Sequence, residues 1–249
     1  MAATYDYGAY TANGKSLHLK WLEADMNEVT VRNVGAKTCG SSGYYGVNGT
    51  FFDMGTGDLT GIAINGGASV RYAGHMNQWN VSAGRGTLIK LNNNLPDGTF
   101  LFEKKVFQFD SNNNISHNGY TVNISNIKWA IGGISLYVGS TLTESQFNTL
   151  IGDETPPALT SNRPRTAIGY KGANKVVLCA IFDGSNLWDS TKGCTIWDVR
   201  TVMKDKFGCT MAINLDGGGS TQISFKQNGS NNYHQTEARN IYSMVTVPM

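Results

Sequence analysis

Charge is scarce in this sequence. Lysine, arginine, aspartate and glutamate make up 15% of its 249 residues, and 20 basic against 18 acidic side chains leave a net charge of +2 with no block of like charges. A nucleic-acid duplex therefore finds no electrostatic footprint, only room for local basic pockets. Long apolar runs are missing as well. Lys175-Val176-Val177-Leu178-Cys179-Ala180-Ile181-Phe182 is among the longest, strand length and far short of the roughly 20 residues a membrane helix needs, so no membrane partner is expected. Cysteine is limited to Cys39, Cys179, Cys194 and Cys209, none in CxxC spacing, which argues against zinc and for scattered reduced thiols. Cys194 and Cys209 flank one predicted helix and would pair only if its ends met elsewhere. His18, His75, His117 and His234 have no metal spacing either, so neither a metal nor a cofactor is expected. The start, Met1-Ala2-Ala3-Thr4-Tyr5-Asp6-Tyr7, lacks the basic and apolar regions of a secretory signal, which favours a cytoplasmic setting unless a signal has been removed.

What the sequence does have is 40% hydrophobic residues and 30 glycines, the composition of a globular, turn-rich protein. Its length suits one large domain spanning residues 1–249. Alternating apolar positions predict half-buried strands at Leu17–Leu22, Val29–Arg32, Val106–Phe109 and Val122–Ile124. Denser apolar stretches at Tyr44–Val47, Ile127–Ile131, Val176–Phe182, Met211–Leu215 and Ile241–Val247 predict central strands covered on both faces. Helices are few. Thr143-Glu144-Ser145-Gln146 is a capping-box pattern that starts a short helix ending near Ile151. Ile196, Val199, Met203 and Phe207 recur at helical spacing after Thr195, with Gly208 as terminator. Asn-rich stretches at 92–98, 112–114 and 227–232 read as hairpin tips. The Pro-rich connection from Asp153 to Pro164 reads as a loop beside the site. The expected class is α+β, a single domain built on a mixed, strand-rich central sheet with a few short helices.

Chemistry concentrates at strand ends. Asn214-Leu215-Asp216-Gly217-Gly218-Gly219-Ser220-Thr221-Gln222 follows an apolar strand, and three glycines there carry an entropic cost that an ordinary turn would avoid. The strand would deliver Asp216 to its end, and backbone N–H groups from Gly217 to Thr221 would face an anion. Asn48-Gly49-Thr50-Phe51-Phe52 also follows a strand; a polar pair running into aromatics suits a sugar rim, with Asn48 and Gly49 on hydroxyls and Phe51 beneath the ring. Arg163 and Arg165 precede a strand and could grip a phosphate through paired hydrogen bonds. Asp183-Gly184 ends the Val176 strand as Asp216-Gly217 ends the next. Two carboxylates at one sheet edge are what glycoside cleavage uses. Trp79 and Trp188 are stacking candidates on flanking loops.

Taken in order, Val47-Asn48-Gly49-Thr50-Phe51-Phe52, Ala130-Ile131-Gly132-Gly133, Arg165-Thr166-Ala167-Ile168-Gly169, Asp183-Gly184 and Asn214 through Ser220 resemble the phosphodiester glycosidase family over residues 44–247. The Asn-rich loops look like those of a bacterial or phage member. The family pattern departs at Thr50 and at Ser185, where a small residue and a basic residue are usual. The resemblance implies a hydrolase that cleaves the glycosidic C–O bond of a sugar-1-phosphodiester carrying an N-acetylglucosamine-like sugar, a related glycoconjugate or a nucleotide. It implies no cofactor. Asp216 would then be nucleophile or general base, Asp183 the second carboxyl or its orienting group, Arg165 the group on the departing phosphate, and Asn48 and Ser220 holders of hydroxyls or phosphate. A binding module that sequesters a sugar phosphate or nucleotide without turnover remains the alternative, as does a structural part of a phage tail or bacterial surface.

Overall fold

A computed structural model of the chain describes residues 2–72, 86–92, 99–102, 114–117, 120–152, 154 and 158–249. The Asn13-Gly14 pair, with φ of 49° and 81°, closes a hairpin between strands Thr4–Ala12 and Lys15–Asp25, the backbone that a two-residue turn between twisted strands requires. This hairpin joins a six-stranded sheet in the order Thr4–Ala12, Lys15–Asp25, Lys175–Asp183, Arg165–Gly172, Met211–Asn214, Ile134–Ser135. Along Lys175–Asp183 the side chains divide by the period of two. Val176, Leu178, Ala180 and Phe182 enter one apolar layer and Val177, Cys179 and Ile181 another. An unbroken apolar run is what a strand covered on both faces needs.

One cover is helical. Glu144–Gly152 buries Phe147 and Ile151, and Ile196–Thr201 buries Ile196 and Val199 before its last turn widens over Val202–Lys206. Thr195 and Asp198 cap the second helix reciprocally, and Gly208, at φ 65°, ends it. Asp198 also accepts from Lys15 Nζ at 2.6 Å and Asn13 Nδ2 at 2.9 Å, so the capping carboxylate ties the hairpin to the helix start. The other cover is two five-stranded sheets. The first runs Ser230–Gln235, Gln222–Gln227, Gly46–Asn48, Ile241–Thr246, Thr30–Lys37, and the second Ala68–Ser69, Ala63–Asn65, Ile127–Gly132, Thr87–Leu91, Thr99–Phe102. Trp129, fully buried where the three sheets meet, satisfies its indole N–H on Met26 O at 2.8 Å; burying such a side chain contributes on the order of 1.5–3 kcal/mol.

The class is α+β, strand-rich with few short helices. Strand pairs among the described residues are antiparallel in each sheet. The parallel relation lies one strand further apart: Lys175–Asp183 and Met211–Asn214 both pair with Arg165–Gly172, so their C-terminal ends leave the same edge. Asn228-Gly229, with φ of 52° and 80°, is a hairpin tip as expected. All four cysteines are buried and unpaired. No helix among the described residues is long and apolar enough to cross a membrane. The strand expected at Val106–Phe109, the tip around Asn112–Asn113, most of the 92–98 tip and the Gly74–Trp79 loop with Trp79 lie outside the described residues.

Candidate active site

The edge where Lys175–Asp183 and Met211–Asn214 end is also where Arg165–Gly172 begins, with Arg165 opposite Ile181 and Ala167 opposite Asn214. Asp183, Arg163, Arg165 and Asp216 are thereby gathered along one rim. Two strand spacings, about 10 Å in all, separate the chains that carry the two aspartates.

The glycine loop is fastened to this rim by its neighbours. Leu215 N donates to Thr166 O at 2.7 Å, Asp216 N to Gly49 O at 3.2 Å and Gly218 N to Pro164 O at 2.8 Å. Asn48, 1% exposed, is the hub. Its Nδ2 donates to Asp216 O at 2.8 Å, while its Oδ1 accepts from Thr166 Oγ1 at 2.6 Å and Gln222 N at 3.1 Å. One amide therefore fixes three segments around Asp216. Gly49 donates to Ser243 O at 2.8 Å, and a Cβ on it would lie 2.4 Å from Ser243 Oγ.

Within the loop, Gly217 N donates to Asp216 Oδ1 at 2.9 Å, Ser220 N to Gly217 O and Thr221 N to Gly218 O. With Gly218 N on Pro164, most of these N–H groups are engaged inside the protein. Gly218 has φ 61°, a left-handed residue that favours glycine. Gly219 answers a different demand, because a Cβ there would meet Glu237 Oε2 at 2.1 Å and Arg239 Cζ at 2.7 Å. What approaches the loop closely is this ion pair, its Arg239 Nη2 3.0 Å from Glu237 Oε2 and both side chains partly exposed. Thr236 Oγ1 donates to Gly218 O at 3.2 Å, and Gln222 Nε2 donates to Arg239 O at 2.6 Å. The pair is thus held over the loop from both sides.

The two arginines read from the sequence are engaged elsewhere. Arg165, 3% exposed, donates from Nε to Cys194 O at 3.1 Å and from Nη2 to Ala158 O and Ser161 O at 2.6 and 2.8 Å. Burial lowers its pKa, with neighbouring Asp216 pulling the other way. Arg163 reaches Thr191 O at 3.1 Å while its backbone bridges Cys194. Asp183 Oδ1 accepts from Ser185 N at 2.8 Å, Asn186 N at 3.1 Å and the Ser185 hydroxyl; that hydroxyl, followed by the two backbone N–H groups, holds the carboxyl below its usual range. Phe51, 8% exposed, belongs to the apolar layer.

Several buried polar atoms beside the loop have no hydrogen-bond partner among the described residues: Thr50 Oγ1, Asn214 Oδ1, Ser220 Oγ, Thr221 Oγ1 and Ser243 Oγ. Such atoms are uncommon in native proteins, and their grouping gives this edge a polar interior. Three charged residues here escaped sequence reasoning as site residues. Glu237 follows a hairpin with nothing local to mark it, and Arg239 lies just before the last strand, Ile241–Thr246. Glu154, 1% exposed, accepts from Gly86 N at 2.7 Å and Ser135 N at 3.0 Å; the Pro-rich connection around it hid it. No three His, Cys, Asp or Glu side chains gather as a metal-binding set among the described residues.

Comparison with known proteins identifies the family. The phosphodiester glycosidase family matches residues 42–247. The bovine N-acetylglucosamine-1-phosphodiester alpha-N-acetylglucosaminidase is 30% identical over 190 residues, 74% of this chain. The chain spans about a third of that protein's length (31%). Among solved structures, the catalytic domain of the zebrafish N-acetylglucosamine-1-phosphodiester alpha-N-acetylglucosaminidase, auto-inhibited by its pro-peptide, superposes with a TM-score of 0.68 at 18% identity, covering 99% of this chain and 83% of that one. A hypothetical protein from Synechocystis gives 0.56 at 14% identity over 99% and 62%. Both likenesses concern the fold.

Proposed function

We propose, for a chain that belongs to the phosphodiester glycosidase family, that it hydrolyses the glycosidic C–O bond of a sugar-1-phosphodiester, with an N-acetylglucosamine-like sugar on the cleaved side. The observation that carries this reading is the arrangement of the glycine loop: a carboxylate at its start, Asp216, and a partly exposed guanidinium against its third glycine, Arg239. Asp216 is the reacting carboxylate. It attacks the anomeric carbon or takes a proton from the water that does, the C1–O bond breaks, and both its electrons leave with the phosphate. A phosphomonoester anion departs without needing a proton, so a positive partner on the phosphate replaces the strong general acid of an ordinary glycosidase.

Arg239 is that partner. Arg165 has three donors committed to carbonyls and acts by holding the 158–164 loop, whereas Arg239 is held by one carboxylate that an incoming phosphate can replace. Asn48 positions Asp216 through the loop backbone. The buried hydroxyls of Ser220 and Thr221, without a hydrogen-bond partner among the described residues, give the loop a polar underside, and Asp183 shapes its own turn.

The test is incubation with a panel of sugar-1-phosphodiesters and cyclic nucleotides, following free reducing sugar and new phosphomonoester beside Asp216→Asn. Product from the parent protein and none from the variant supports the reading, and NMR of the first-formed anomer distinguishes a nucleophilic Asp216 (retention) from a basic one (inversion). Ligand that both proteins bind and return intact would instead make the chain a sequestering module. For the phosphate partner, Arg239→Lys should raise KM about tenfold, and Gly219→Ala, which displaces the flexible ends of Glu237 and Arg239 while leaving the backbone allowed, should act in the same direction.

A further inference from the structure

Trp188 is 64% exposed, an unusual position for the largest apolar side chain, yet it is not loose. Its ring lies 4.4 Å from that of His234 at 34°, and His234 in turn meets the edge of Phe182 at 4.4 Å. His234 is fixed by a hydrogen bond to Leu187 O at 3.1 Å, the residue before the tryptophan, and Trp188 N donates to Asn186 Oδ1 at 3.2 Å. Indole, imidazole and their connecting loop therefore form one braced unit, with one indole face covered and the other open. His18 pairs with Phe182 across the sheet, and Tyr7, 54% exposed, stacks over His18 at 6.2 Å, so the aromatic surface continues onto the N-terminal hairpin.

This surface is contiguous with the glycine loop. The chain from His234 to Thr236, about 7 Å when extended, ends in the hydroxyl bonded to Gly218 O. The loop bearing Trp188 leaves the same rim through Asp183.

We infer that the open face of Trp188 is a saccharide-binding platform, which takes the pyranose ring on the far side of the substrate's phosphate. The inference rests on the proposed phosphodiester site for its position. A pyranose presents one face of C–H groups, which an aromatic ring covers, and an edge of hydroxyls, which amides and hydroxyls satisfy. The platform offers the first in Trp188 and the second in Ser185 and Asn186, both exposed. Burial lowers the pKa of His234 to about 4, against the opposing pull of its bond to Leu187, so the supporting ring is neutral at neutral pH and adds no charge beneath the indole.

The experiment uses indole N–H signals of the full chain labelled with 15N-tryptophan, the Trp188 signal being identified by its loss in Trp188→Phe. Chitotriose, mannotriose and AMP are the probes. Movement of the Trp188 signal with either trisaccharide and not with AMP is the expected result. Movement with AMP alone would make the surface a nucleobase stack, and no movement with either trisaccharide would end the proposal. In parallel, Trp188→Ala should raise KM for a diester with a hexose-phosphate leaving group about tenfold relative to its KM for the methyl-phosphate diester, with Trp188→Phe retaining most of the preference; an equal change on both diesters would overturn it. The readouts separate the two claims. A trisaccharide shift without hydrolysis of any diester sinks the hydrolase and keeps the platform, and hydrolysis without the shift does the reverse.

Discussion

Two loops leave the same edge of the six-stranded sheet, and they are held in opposite ways. The one that begins at Asp216 is fastened from outside: Thr166, Gly49, Pro164 and the Asn48 amide all bind it from neighbouring strands or segments. The one that begins at Asp183 is closed at its start from within, its carboxylate bonded to Ser185 and Asn186, and is tied to its neighbours at fewer points, Gly184 N on Ser16 O, Arg163 on Thr191 O and His234 on Leu187 O beneath the tryptophan. A loop held by the scaffold keeps a reacting group in place whatever its own sequence does. A loop that holds itself can change without disturbing the sheet. On the proposed reading, the first loop carries the chemistry and the second the choice of substrate.

The sharpest way to break the contrast is Asp216→Asn. Asparagine keeps the side chain's shape and the acceptor for Gly217 N, so the fold should persist while kcat falls about 10³-fold or more, on the order of 4 kcal/mol of barrier. Measured kcat within tenfold of the parent would remove Asp216 from the chemistry. Next comes Arg165→Met. Removing a buried guanidinium strands the carbonyls of Ala158, Ser161 and Cys194, and denaturant unfolding should show a loss of about 3 kcal/mol, against less than about 1 kcal/mol for Arg163→Met. A stability change near zero with a large rise in KM would give Arg165 the phosphate after all.

How far the sequence could anticipate this contrast depends on what kind of interaction carries it. The unbroken apolar run Val176–Phe182 and the capping residues at Thr195 and Gly208 are local signals, and each led to the right element; the glycines after Asp216 marked the loop but not that most of its N–H groups are engaged inside the protein. The six-stranded sheet was harder, because its edge hairpin, Thr4–Ala12 with Lys15–Asp25, joins Lys175–Asp183 across some 150 residues of chain. Arg165 and Arg239 show the same limit at the site. Local pattern marks an arginine before a strand but not what consumes its donors: Cys194, 29 residues on, for one, and for the other Glu237, two residues away, with the distant Gly219 setting where that pair sits. Glu154 could not be found at all from its Pro-rich surroundings, since its two N–H partners come from Gly86 and Ser135.

The self-held loop has its own pH signature. His234 has a folded pKa of about 4 against an ordinary 6.5, so between those values the unfolded chain binds more protons than the folded one. Stability is then fully present above about pH 6.5 and declines as pH falls toward 4, by about 2–3 kcal/mol in all. Unfolding midpoints measured across this range should fall in the parent and flatten in His234→Phe. An unchanged slope in the variant would place the sensitivity elsewhere, with His18, whose pKa burial also lowers from its ordinary value, the next to test.

The smallest effect is the most discriminating. Asp183→Ala removes the acceptor for Ser185 N, Ser185 Oγ and Asn186 N from an exposed turn, which should cost about 1 kcal/mol of stability and loosen the loop that carries Trp188. If the two loops divide the work, kcat stays within a few-fold of the parent while KM rises, more for a diester with a hexose-phosphate leaving group than for the methyl-phosphate diester. Because the Ser185 hydroxyl and the N–H groups depress the Asp183 pKa, the stability difference from the parent should be present above the ordinary carboxylate range and vanish as pH falls through the depressed value. If instead kcat collapses as completely as in Asp216→Asn, the two carboxylates act as a pair across the rim, and a loop held by itself is doing the same chemistry as a loop held by the sheet.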